Sequence, residues 1–90
     1  MPKTPDALAD FYSVDPPKLN IQSFACGEGR QNESFMLIEG NEQALRMLGE
    51  MLIAASQQSE GFDFSLHPEG AGQIFFASKS THGIYIHRVS

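Results

Sequence analysis

The chain has 90 residues, 41% of them apolar and 19% charged, a composition typical of one folded domain and too apolar for a disordered chain. Eleven acidic residues against six basic ones give a net charge of −5, which predicts no nucleic-acid partner and favours a basic partner. The chain has a single cysteine, Cys26, and no signal-peptide pattern, and none of its apolar runs approaches the roughly 20 residues of a membrane span. We therefore predict a cytoplasmic protein with no membrane contact.

The first segment is rich in proline. Residues 1–17 contain four of the five prolines, and proline fixes a backbone torsion and removes a hydrogen-bond donor. We therefore predict a flexible leader at 1–17, followed by a single α+β domain at 18–90. Within the leader, Asp6 is a candidate cap for a short turn that carries Leu8 and Phe11 on one side.

A β-hairpin is predicted to open the domain. Residues 18–25 alternate weakly, with Leu19 and Ile21 on one side, which is the period of a strand. Residues 26–33 bring two glycines and polar side chains, and they predict the hairpin loop. The return strand, 34–40, contains the run "FMLI", which is typical of a central strand buried on both faces.

The clearest element is a helix at residues 41–59. Asn41 is a candidate N-cap, and Glu42 can pair with Arg46 one turn later. Apolar residues recur at steps of three and four and predict one buried stripe. The stripe consists of Ala44, Leu45, Leu48, Met51, Leu52 and Ala55.

Three further strands are predicted after the helix, at residues 62–67, 73–77 and 83–89, separated by turns that contain glycine. The predicted order is β-β-α-β-β-β. Because short loops favour antiparallel neighbours, we expect an α+β fold with an antiparallel four- to five-stranded sheet and one main helix packed on one face.

The strand alternation predicts which side chains leave the core. Phe62, Phe64 and Leu66 would face the helix together with Ile84 and Ile86. The opposite, open face would then carry the candidate binding residues Asp63, His67, Tyr85 and His87.

Two interpretations of this open face stay open. His67 and His87 could bind a metal with Asp63 as an oxygen ligand, as in a small metal-dependent enzyme. No metal-binding or catalytic sequence motif supports that interpretation. We therefore favour a non-catalytic binding surface, with no cofactor and no metal. A homodimer is also expected, because a short chain gains apolar burial by pairing.

The segment "MLIEGNEQALRMLGEMLIAAS" resembles the immunity protein 32 family of bacterial polymorphic toxin systems, in which a strand, a Gly-Asn turn, a leucine-rich helix and a histidine-bearing strand follow one another. The similarity continues through "FDFSLHPEG" and "GIYIHRV" and covers about residues 35–89. It implies a protein that neutralises a cognate toxin by binding it, and the acidic charge would suit a basic toxin. It assigns no individual binding residue.

Overall fold

The computed structural model describes residues 4–25 and 34–90. The fold is α+β, as predicted. The predicted loop at 26–33, with Cys26, lies outside the described residues. The elements in chain order are α1 (Pro5–Tyr12), β1 (Asn20–Ala25), β2 (Ser34–Glu39), α2 (Glu42–Ser56), β3 (Asp63–Leu66), a 3-10 turn (Gln73–Phe75) and β4 (Ile84–His87).

The described strands form two separate antiparallel hairpins. β1 pairs with β2, and β3 pairs with β4. The predicted four- to five-stranded sheet is therefore not confirmed. The two hairpins are connected through the segment 75–82, which runs beside β1 and meets it in a single parallel bridge between Leu19 and Phe76.

Residues 73–77 do not form the predicted strand. Gly72 has a φ of 86°, a left-handed conformation that side chains other than glycine rarely adopt, and the chain turns tightly there. The amide of Phe75 donates to the carbonyl of Gly72 at 2.9 Å, which closes the 3-10 turn. The apolar side chains of this segment are still used, since Phe75 and Phe76 are buried in the core.

Helix α1 begins at Pro5, a position where the missing N–H of proline has no cost. Its N-cap is Thr4, whose Oγ1 accepts a hydrogen bond from the amide of Ala7 at 3.1 Å. Asp6 lies in the first turn instead of capping the helix. The capping residue is therefore Thr4 and not the predicted Asp6.

Helix α1 packs against α2. Leu8 is buried in the core, and the hydroxyl of Tyr12 donates a hydrogen bond to the Glu50 carboxylate. Burial is the larger cause and this hydrogen bond the smaller one, and together they raise the pKa of Tyr12 to about 12. The phenol therefore stays protonated and keeps its hydrogen-bond donor. The predicted leader therefore includes a helix that is docked on the rest of the chain. The flexibility of residues 1–17 and the domain boundary after residue 17 stay predictions.

Helix α2 begins where the sequence predicts. The side-chain oxygen of Asn41 accepts from the amide of Ala44 at 2.8 Å, and Arg46 lies 3.2 Å from the Glu42 carboxylate. Leu45 and Leu52, predicted in the buried stripe, are 46% and 48% exposed. The other four predicted residues, Ala44, Leu48, Met51 and Ala55, are buried, and Met47 and Ala54 are buried with them.

Candidate functional site

The register of the second hairpin sorts its side chains onto two faces. Phe64 lies opposite Ile86, and Leu66 lies opposite Ile84. Leu66 is buried in the core, and Phe64 and Ile84 pack against it, half-buried. Since strand side chains alternate, the residues between them point to the other face. The outer face of the second hairpin, defined by Asp63, Ser65, Tyr85 and His87, is exposed.

Three of the predicted site residues meet on this outer face. Asp63 lies directly opposite His87, and its Oδ1 hydrogen-bonds the Nδ1 of the imidazole. The carboxylate also interacts with Tyr85, which lies diagonally across the strand pair. His87 and Asp63 are about half exposed, so the group is preorganised by its own contacts while remaining accessible.

These contacts shift the acid-base equilibria of the group. The hydrogen bond from His87 is the main cause that lowers the pKa of Asp63, and the interaction with Tyr85 adds to it. The interaction with Asp63 in turn raises the pKa of Tyr85. At neutral pH the group therefore presents a carboxylate and a protonated phenol.

His67, the fourth predicted residue, lies just beyond the end of β3. Its Nδ1 accepts a hydrogen bond from the amide of Glu69 at 3.0 Å. A β-carbon added at Gly83 would collide with the carbonyl oxygen of Leu66 and lie 3.0 Å from the Cα of His67, so the absence of a side chain at Gly83 lets the chain pass close to the end of β3. His67 thus takes part in a local turn, apart from the Asp63 group.

An acidic groove of about 610 Å³ lies between α1 and β3. Phe64, Leu66 and Phe75 line its apolar part. Asp6 and Asp10 of α1 also line it, together with Asp63.

Asp6 and Asp10 belong to residues 1–17, whose prolines predict a leader outside the domain, so they were not among the predicted site residues. Their spacing of four residues, which places both on one side of a helix, is the signal that could have found them.

The arrangement is suited to recognition by charge, hydrogen bonds and aromatic contact. Within residues 4–25 and 34–90, no group of three or more His, Cys, Asp or Glu side chains could hold a metal ion. Of the three side chains in the metal interpretation, His87 and Asp63 are in contact, whereas His67 lies beyond the end of β3.

Comparison with models of protein families, with curated proteins and with solved structures found no match to this chain. In the part of the chain that the structure describes, neither helix has the length and apolar character needed to cross a bilayer.

Proposed function

We propose that this chain is a small, non-catalytic binding protein of the bacterial cytoplasm, which contacts a protein partner through the outer face of the second hairpin. The observation that carries the proposal is Tyr85. Its side chain is 71% exposed, and its interaction with the Asp63 carboxylate raises the pKa of the phenol. Tyrosine is enriched among the residues that dominate protein interfaces, because a rigid ring offers a large contact area at a small entropic cost.

A basic partner suits the charges around this face. The chain carries a net charge of −5, and Asp6 and Asp10 add carboxylates to the groove beside Asp63. Opposite charges on two proteins accelerate their encounter and discriminate against like-charged competitors. The resemblance to the immunity protein 32 family supports a cognate toxin as that partner.

The proposal is tested with the purified full chain as bait for the proteins encoded by neighbouring genes of its source. Tyr85→Ala should abolish the binding of a captured protein or lower its affinity at least tenfold, since truncating a central interface aromatic commonly costs more than about 1.4 kcal/mol of binding free energy. Phe11→Ala is the matched control, because Phe11 is also an aromatic residue with 62% exposure but belongs to α1.

The toxin assignment needs a second measurement. Co-expression of the chain should restore growth to cells that express the captured protein, and the Tyr85→Ala chain should restore it less well. Equal affinity of the parent, Tyr85→Ala and Phe11→Ala would refute the assignment of the outer face. A captured protein that has no effect on growth would refute the toxin and leave a binding protein of another kind.

A further inference from the structure

Strand β2 has the composition of a central strand but lies at a sheet edge. Its apolar residues alternate onto both faces, with Phe35 and Leu37 on one side and Met36 and Ile38 on the other. Such a run is typical of a strand with neighbours on both sides. In the structure Phe35 and Met36 are each 53% exposed and Ile38 is 46% exposed.

The outer edge of β2 can accept another strand. Among the described residues β2 pairs with β1 alone, and every second residue of an antiparallel strand directs its N–H and C=O away from its partner. Edge strands are usually protected by lysine, proline or a bulge. β2 contains no lysine and no proline, and its pairing with β1 runs without a bulge over all six residues.

The one charged residue of β2 is already engaged. The Glu39 carboxylate accepts a hydrogen bond from the Asn20 amide at 2.9 Å and lies 3.5 Å from the Lys79 ammonium. These contacts, the Asn20 bond first, lower the pKa of Glu39, so the carboxylate remains charged and paired. Glu39 therefore does not protect this edge as an isolated charge would.

We propose that a second copy of this chain pairs with β2 along this edge, antiparallel and about a two-fold axis, so that two hairpins become one four-stranded sheet. The required partner is an extended strand that is apolar on both faces, and β2 itself is such a strand. Antiparallel pairing places the two copies of Glu39 at opposite ends of the interface, whereas parallel pairing would bring them together. An isolated two-stranded sheet has only marginal stability, and pairing in a four-stranded sheet gives each copy of β2 a second neighbouring strand.

The available area sets the strength of this dimer. The half-exposed side chains of β2 are few and are divided between its two faces, with Phe35 on one and Met36 and Ile38 on the other. A standard interface uses about 800 Å² from each partner. We therefore expect a dimer that dissociates in the micromolar range, and salt should strengthen it, because each copy carries a net charge of −5.

The test is sedimentation of the full chain from about 5 to 500 μM in 0.15 M salt. The mass should rise from 9.9 kDa towards twice that value. Met36→Lys should weaken self-association at least tenfold, because it places two ammonium groups within one sheet. Leu45→Lys is the matched control, since Leu45 has a similar exposure on α2, and it should leave the association unchanged.

Circular dichroism establishes that each variant is folded, and Ile38→Lys replaces Met36→Lys if the latter is not. A mass of 9.9 kDa at every concentration would overturn the proposal. So would a folded Met36→Lys or Ile38→Lys chain that associates as strongly as the parent, or an equal loss in Leu45→Lys. The outer face of the second hairpin is untouched by these variants, so the result is independent of the proposed function.

Discussion

The carboxylate of Asp63 organises the outer face of the second hairpin. It is hydrogen-bonded to His87 across the strand pair, and it interacts with Tyr85, which lies diagonally across that pair. A cross-strand pair of this kind restricts the side chains that a partner protein would meet, and it thereby lowers the entropic cost of binding.

Replacing His87 should raise the pKa of Asp63. The hydrogen bond from His87 is the largest cause of the lowered value, so His87→Ala should return the carboxyl towards its ordinary range. Because the folded pKa is depressed, the stabilising contact is present above the ordinary pKa of aspartate, about 3.9, and is lost as the pH falls through the lower folded value. Carbon-detected NMR of the Asp63 carboxyl during an acid titration measures the shift.

His82→Ala provides the control for that titration, because His82 is an exposed histidine whose Nδ1 contacts Thr81 instead. It should leave the titration of Asp63 unchanged. Tyr85→Phe should raise the pKa of Asp63 by less than His87→Ala does, since Tyr85 lowers that pKa less than the His87 hydrogen bond does. If Asp63 titrates identically in the parent and His87→Ala, the cross-strand contact is absent in solution.

Sequence alternation predicted that Asp63, Tyr85 and His87 share one face, and this is confirmed by the register. It could not predict that Asp63 lies directly opposite His87. That pairing depends on how the segment between β3 and β4 closes, and a shift of the register would bring other side chains together. His67 shows the same limit, because the turn at Glu69 and not the strand period decides its hydrogen bond.

At the scale of elements, α2 shows what a helical pattern can predict. Its N-terminus was predicted because Asn41 and the Glu42–Arg46 pair are local signals. Its buried stripe is shifted towards Met47 and Ala54, on the side of the helix where Glu50 contacts Tyr12 of α1. A helix can carry apolar residues on more than one side. The sequence of α2 alone therefore cannot identify which apolar stripe a neighbouring element covers.

The docking of α1 is measured by a pair of substitutions. Leu8→Ala should reduce the free energy of unfolding by about 2–3 kcal/mol, because it removes a buried side chain from the core. Phe11→Ala should cost less than about 1 kcal/mol, since Phe11 is 62% exposed and makes an edge-to-face contact with Tyr12. Urea denaturation followed by circular dichroism compares the two variants with the parent.

A similarly small effect of both substitutions would show that α1 contributes little to the folded domain, as the sequence prediction of a flexible leader at residues 1–17 requires. A larger cost for Leu8→Ala alone would instead extend the domain to include α1. Short helices are marginal without such tertiary contacts, so the docking and the helicity of α1 should be lost together.

At the scale of the whole molecule, the two hairpins are joined by backbone contacts of an irregular segment. The carbonyl of Ile21 accepts hydrogen bonds from the amides of Thr81 and His82, each at 3.1 Å. The amide of Leu19 donates to the carbonyl of Phe75, and the amide of Ala77 donates to the carbonyl of Leu19, each at 2.8 Å. Local sequence patterns were enough to predict the α+β class. Contacts between residues some 60 positions apart in the sequence determine that this segment lies beside β1 as a bridge and not as a strand.

Ser80 is the side chain that completes this connection, and no sequence pattern singled it out. It is buried, and its hydroxyl oxygen accepts a hydrogen bond from the amide of Ile21 at 2.8 Å. The same hydroxyl lies 3.3 Å from the carbonyl oxygens of Ile21 and His82, to which it can donate its proton. One small side chain thus satisfies a buried amide of β1 from the opposite end of the sequence.

Ser80→Ala should therefore destabilise the molecule by about 1–3 kcal/mol, because the amide of Ile21 loses its acceptor in a buried position. Ser78→Ala, at an exposed position in the same segment, should change the free energy of unfolding by no more than about 0.5 kcal/mol. Urea denaturation measures both values, and amide hydrogen exchange should show faster exchange at Ile21 in Ser80→Ala alone. Equal stability of the two variants, with Ile21 still protected, would mean that the hairpins are held together without this serine.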